Sequence, residues 1–293
     1  MKTVIIIGEN NLTAACADLL NPKEMKLVGF GDTREETWNV FEEDGSVKET
    51  ISALPVMPVE MVASLEPDCV LVASLDKERN EVFKYLLYRS NYFGDVIFLH
   101  DLAGQFSLKT AALRRLTRRL EDVGVEGCAA EVGCGSGDTS WQLNALMPRR
   151  RLYLFDTFAG FDPRDIQKEE ELGCSKAQAG DMAYKDQNRL LSRMPAPDMV
   201  VMKKGWFPET AEIAESETFA LVYLDACLYN PTLRALEFFF PRMSQGGVIV
   251  LTRYEDDAFN GVFQAVTDFE EKYGRLLITP LGDPLGTITI VHP

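Results

Sequence analysis

Eight consecutive residues, Glu131-Val-Gly-Cys-Gly-Ser-Gly-Asp138, gather the groups best suited to chemistry in this 293-residue chain. They follow the apolar run Cys128-Ala129-Ala130 and precede a segment, Thr139 to Met147, that can turn helical. A strand, a glycine turn and a helix in that order make a nucleotide cradle. Gly133, Gly135 and Gly137 carry no Cβ, so the backbone can bend sharply and approach a ligand closely. The next apolar run, Arg151-Leu-Tyr-Leu-Phe-Asp156, ends in a carboxylate 23 positions after Gly133. That is near the spacing at which an acid meets ribose hydroxyls in nucleotide-binding α/β folds. The glycine spacing is G-x-G-x-G, not the dinucleotide G-x-G-x-x-G.

The elements that must hold these residues alternate between strand and helix, which predicts parallel sheets with right-handed crossovers. The fold class is α/β, with two Rossmann-like domains. Residues 1–104 form the first, with strands at Val4–Ile7, Lys26–Phe30, Cys69–Ala73 and Val96–Leu99 and helices reaching Leu20 and spanning Glu78–Ser90. Its first turn, Gly8-Glu-Asn-Asn-Leu-Thr13, lacks the second and third glycines of a dinucleotide fingerprint. Asp32, after the second strand, either meets a ribose or is an ordinary turn residue, so a nucleotide-using enzyme remains an alternative reading. Residues 105–124 read as a bridging amphipathic helix, with Leu108, Ala112, Leu116 and Leu120 four apart. Residues 125–293 form the second domain. Its strands fall at Ala129–Val132, Leu152–Phe155, Val200–Lys203, Ala220–Leu224 and Gly247–Leu251. Leu276–Pro280 and Thr287–Val291 then flank a Gly/Pro turn as an antiparallel hairpin.

Several separate motifs of the second half carry a family resemblance. The glycine turn preceded by Glu131 resembles motif I of class I S-adenosylmethionine-dependent methyltransferases. Tyr153-Leu-Phe-Asp-Thr-Phe-Ala-Gly-Phe-Asp162, Lys204-Gly-Trp-Phe-Pro-Glu-Thr210, Leu224-Asp-Ala-Cys-Leu-Tyr-Asn-Pro-Thr232 and Phe240-Pro-Arg-Met-Ser-Gln-Gly-Gly247 follow in order. Together they resemble the macrocin O-methyltransferase family over about residues 106–275; the first hundred residues lie outside the resemblance. It implies S-adenosyl-L-methionine as cofactor and a small polar acceptor, such as a sugar or glycosylated metabolite. A protein that keeps the cofactor pocket without turnover is the alternative.

The resemblance also distributes roles. Asp156 is expected on the cofactor's ribose, with Thr157 and Phe158 beside it. Phe158 and Phe161 either stack near the cofactor or pack in the core. Glu131 faces the amino-acid end, orients the loop, or sits buried bonding the turn's own amides. Asp181 approaches the adenine or caps a helix. Trp206 and Glu209 shape the acceptor pocket, unless Trp206 is a packing anchor. Asp225 stands at the methyl-transfer centre as acceptor-orienting group or general base. Relatives commonly read Asp-x-Asp-Leu-Tyr there, and many depend on a divalent metal. Here the run is Asp225-Ala-Cys227-Leu-Tyr229, and Arg253 follows the next strand. A thiol is a poor ligand for a hard cation and a guanidinium repels one. No metal site is therefore expected, and Arg253 is expected to pair with Asp225 or hold an anionic acceptor.

Composition bounds the partners. Thirty basic and 45 acidic residues give a net charge of −15, which disfavours nucleic acid and anionic membranes. The apolar runs are strand-sized, and no signal segment precedes the first strand. Six cysteines without a C-x-x-C pair read as free thiols, so a cytoplasmic location is expected. The only histidines, His100 and His292, lie far from these motifs in sequence. Related enzymes often pair, which allows a homodimer.

Overall fold

A computed structural model describes residues 1–9, 12–38, 54–105, 107–214, 216–283 and 285–293. Asn10 and Asn11 of the first turn, Phe106 and Pro284 lie outside these described residues. The chain divides into two compact units, Met1–Ser107 and Leu108–Pro293.

The first unit runs β1 (Lys2–Ile7), α1 (Leu12–Asp18), β2 (Met25–Asp32), β3 (Val56–Pro58), β4 (Cys69–Val72), α2 (Lys77–Arg89), β5 (Asp95–Phe98) and α3 (Leu99–Gln105). Its sheet is parallel, in the order β3-β2-β1-β4-β5. Val4 to Ile7 of β1 are fully buried, as expected of a central strand covered on both faces. Ile5 and Ile7 pack with Phe83 and Leu87 of α2, while Val4 and Ile6 pack with Leu12 and Cys16 of α1. α1 stops at Asp18, two residues before the expected Leu20.

The second unit begins with α4 (Leu108–Asp122), which sends Leu113 and Leu120 into that unit's core. Its remaining elements are β6 (Cys128–Val132), α5 (Asp138–Leu146), β7 (Leu152–Asp156), α6 (Pro163–Leu172), α7 (Gln187–Ser192), β8 (Val200–Lys204), β9 (Phe219–Leu224), α8 (Tyr229–Phe239), β10 (Met243–Leu251), α9 (Gly261–Tyr273), β11 (Leu277–Pro280) and β12 (Ile288–Val291). The seven strands order as β11-β12-β10-β9-β6-β7-β8. All pairs from β10 to β8 are parallel, and β12 runs antiparallel to both β10 and β11. The expected terminal hairpin on a parallel sheet is therefore present.

β9 is buried at every position and divides the core. On one face Val222 and Leu224 pack with Phe239 of α8 and Phe269 of α9. On the other, Leu221 and Tyr223 pack with Leu113 of α4 and Leu143 of α5. This two-sided cover fixes the central strands, so their carboxyl ends form one rim. No helix among the described residues is long and apolar enough to cross a membrane.

Candidate functional site

The carboxyl ends of β6, β7 and β9 open into a cavity of about 320 Å³ within the second unit. This volume suits a small-molecule ligand. The three glycines of the β6–α5 turn all have positive φ, at 86°, 48° and 81°, but serve different ends. A Cβ on Gly133 would run into the backbone carbonyl of Asp225, so this glycine lets the ends of β6 and β9 close up. A Cβ on Gly137 would lie 2.5 Å from Leu190 Cγ. A Cβ on Gly135 would meet nothing within 4 Å. Gly135 is the point where backbone faces open cavity.

Asp156 closes that turn from β7. Its Oδ2 accepts from the Gly135 N–H at 2.9 Å and its Oδ1 from the Phe158 N–H at 2.6 Å. Each carboxylate oxygen keeps lone-pair capacity for a ligand hydroxyl. The Thr157 hydroxyl is used within the next loop, donating to the Gly160 carbonyl at 2.6 Å and accepting from the Ala159 N–H at 3.1 Å. Of the two places open to Phe158, beside the cofactor or in the core, it takes the core. At φ 55° its ring drops into the core with Leu143, Leu190 and Met194, 3% exposed, and does not line the cavity. Burial of an aromatic ring in a well-packed cluster outweighs any partial stacking on a ligand. Phe161 lines the cavity instead, its ring edge-on to Phe259 at 6.2 Å. Asp181 also reaches the cavity and accepts from the Gln178 N–H at 2.8 Å; no helix starts there, so the capping alternative fails.

Glu131 lies at the end of β6, 1% exposed, on the cavity wall. It accepts a short hydrogen bond from the Ser140 hydroxyl of α5 rather than from the turn's amides. Burial pushes its carboxyl up to about 8, against the opposing pull of Ser140.

Asp225 and Arg253 do meet. Asp225 Oδ1 accepts from the Thr252 hydroxyl at 2.6 Å and lies 3.5 Å from Arg253 Nε. Arg253 Nη1 donates to Asp256 Oδ2 at 2.8 Å, and the guanidinium lies 4.8 Å from the Phe259 ring centre. Both Cys227 and Arg253 adopt left-handed backbone, at φ 64° and 60°. Side chains rarely take such conformations without support from their surroundings, and they concentrate at functional sites. Burial drives the Cys227 thiol well above its ordinary pKa. Among the described residues no group of three or more His, Cys, Asp or Glu could hold a metal ion.

Two contributors, Asp165 and Lys109, escaped sequence reasoning. Asp165, 4% exposed, accepts from Trp206 Nε1 at 2.9 Å and from Asn230 Nδ2 at 2.6 Å, and burial raises its carboxyl. Trp206 is thus a cavity-wall residue held by a hydrogen bond, with Arg164 over its ring at 3.8 Å. A usable signal was Asp162-Pro163, a side-chain cap before proline at the first helical position, which starts α6 and projects Asp165 inward. Lys109, on the first turn of α4, is the second.

In the first unit the corresponding strand ends carry Gly8 and Asp32. A Cβ on Gly8 would lie 2.5 Å from the Thr13 hydroxyl, and Asp32 is held by Arg34 at 2.7 and 3.1 Å. Asp32 therefore already has a bidentate cationic partner where a ribose would need it.

A family model described as macrocin-O-methyltransferase (TylF) matches residues 100–283. The chain is 29% identical, over 184 residues, to a Streptomyces olivaceus protein named 8-demethyl-8-(2,3-dimethoxy-alpha-L-rhamnosyl)-tetracenomycin-C 4'-O-methyltransferase. That match covers 56% of this chain and 64% of the relative, so the chain spans somewhat under two thirds of the relative's length. The solved structure of CalS11, a calicheamicin methyltransferase, is 20% identical, with a TM-score of 0.52 and coverage of 74% of this chain and 86% of that one. Its likeness supports the fold. With the family model spanning well over half its length, from α3 to the turn before β12, the chain belongs to the macrocin-O-methyltransferase family.

Proposed function

We propose that the second unit, Leu108–Pro293, binds S-adenosyl-L-methionine and methylates a hydroxyl of a small polar molecule, with a glycosylated metabolite as the acceptor class. The observation that carries this reading is the open Cβ position at Gly135, set beside Asp156 in the 320 Å³ cavity. The residues present fit the cofactor. Backbone can approach it at Gly135, a carboxylate with spare lone pairs stands ready for the ribose, and the acidic wall suits a cation. When bound, the cofactor supplies an electrophilic methyl group on a sulfonium. Family membership supports the reaction, and the rhamnosyl group in the relative's name supports the acceptor class.

Asp225 is the group assigned to the acceptor. It takes the proton of the acceptor hydroxyl as that oxygen gains its new bond to carbon. Thr252 fixes one carboxylate oxygen, and the Arg253 guanidinium stands beside it. Arg253 thereby places a fixed positive charge beside Asp225. Gly135 and Asp156 hold the cofactor's nucleoside, Asp181 and Phe161 lie toward its base, and Trp206 forms the acceptor wall. The first unit, whose Asp32 is already paired with Arg34, is assigned to acceptor access or assembly. Free cysteines and net charge −15 support a cytoplasmic enzyme without nucleic-acid partners.

The test is calorimetry with S-adenosylhomocysteine, then release of that product from S-adenosyl-L-methionine across a panel of deoxysugar glycosides. Wild type should bind, and Asp156→Ala should weaken binding by roughly tenfold or more, the worth of one charge-assisted hydrogen bond. Turnover with any glycoside should fall in Asp225→Asn and persist in chelator. Absence of binding sinks the reading. Binding without turnover on every acceptor favours the second reading, a cofactor-binding protein whose base is locked by Arg253.

A further inference from the structure

Among the described residues, the cavity wall carries seven carboxylates and only two cations, Lys109 and Arg253. Such a wall matches the sulfonium and ammonium of the proposed cofactor and repels its one carboxylate. That carboxylate needs a cationic donor. Arg253 is engaged, with Nη1 on Asp256 at 2.8 Å and Nε 3.5 Å from Asp225. Lys109 is held differently. Its Nζ donates to the Thr139 hydroxyl at 3.3 Å and lies 5.6 Å from the centre of the Tyr223 ring, with no ion pair among the described residues. An ammonium poised by one hydroxyl and one ring face keeps donors available for an incoming anion.

Position supports the match. Lys109 contacts α5 and β9, whereas Asp156 ends β7 on the opposite side of β6. A ligand whose ribose sits at Asp156 and whose chain crosses the glycine turn brings its amino-acid end to Lys109. α5 starts there with Gly137 as its cap and, among the described residues, no side-chain cap, so the helix end is also receptive to negative charge. From this geometry we infer that Lys109 binds the carboxylate of the cofactor's amino-acid end and thereby selects amino-acid-bearing nucleosides over simple adenosines. The assignment rests on the cofactor reading above. It gives α4, which precedes the sheet, a direct place in the binding site.

The full chain and its Lys109→Met and Lys109→Arg variants are titrated with S-adenosylhomocysteine and with 5'-methylthioadenosine, which lacks the amino-acid end. Lys109→Met should weaken S-adenosylhomocysteine by roughly 10- to 100-fold, the worth of a charge-assisted hydrogen bond, and leave 5'-methylthioadenosine unchanged. Lys109→Arg should restore most of the loss. Equal weakening of both ligands would mean that Lys109 only supports the fold, and an unchanged S-adenosylhomocysteine affinity would equally overturn the assignment. A wild-type chain that binds neither ligand refutes the cofactor reading itself, an outcome distinct from either.

Discussion

Replacing Glu131 with glutamine should remove a large part of the second unit's pH-dependent stability. Burial lifts this carboxyl from 4.5 to about 8. The difference of about 3.5 units, at about 1.4 kcal/mol per unit, corresponds to about 5 kcal/mol. Because the folded value is the higher one, the native protein retains a proton that the unfolded chain has already released between these two values. The contribution is present in full below pH 4.5 and is lost as pH climbs toward 8. Glutamine keeps the shape and still accepts from Ser140, but never has to become a buried anion. The two proteins should therefore be about equally stable near pH 5, and the variant should be the more stable by several kcal/mol near pH 8.5. Urea unfolding, followed by emission of Trp141 and Trp206 in the second unit, reads the difference at each pH. Other titrating groups are common to both proteins and cancel. A difference that stays constant from pH 5 to 8.5 would refute the argument, since it would mean that Glu131 ionises in the fold as readily as in water.

The glycine turn separates folding from binding. Gly133→Ala should cost at least about 1–3 kcal/mol of stability through collision with the Asp225 carbonyl. Gly135→Val should cost about 1–2 kcal/mol of backbone strain and abolish S-adenosylhomocysteine binding, and the reverse ranking in melting experiments would contradict the cradle. Phe158→Ala should lower stability by about 3–5 kcal/mol while the folded fraction binds S-adenosylhomocysteine normally, because the ring belongs to the core; selective loss of affinity would restore it to the site. Arg253→Ala, which leaves the buried Asp256 without its cation, should cost about 1–3 kcal/mol and reduce turnover. Wild-type turnover should be indifferent to chelator; activity removed by chelator and restored by magnesium would reverse the role given to Arg253.

What the sequence determined by itself follows from local physics. Runs such as Val4–Ile7 and Ala220–Leu224 are apolar without alternation because both faces of a central parallel strand are covered. The glycine turn declares itself because three glycines in alternate positions mark a backbone that other side chains adopt only under strain, and the carboxylate of Asp156 falls where the next strand must end. The pairing of Asp225 with Arg253 was also legible, since adjacent parallel strands bring their carboxyl ends to one rim. Tertiary structure decided the rest, for a common reason: sequence spacing states which residue reaches the rim but not which way a side chain turns there. Phe158 and Phe161 share one loop and one chemistry, yet a left-handed backbone at Phe158 sends the first ring inward, and the second lines the cavity. The three glycines look equivalent in the chain, and only packing against Asp225 and Leu190 leaves Gly135 as the open one. Lys109 carries no motif. It becomes part of the site because α4, distant in sequence from the glycine turn, packs with its first turn against the cavity, a fact held in the packing of the sheet's faces and not in the spacing of residues.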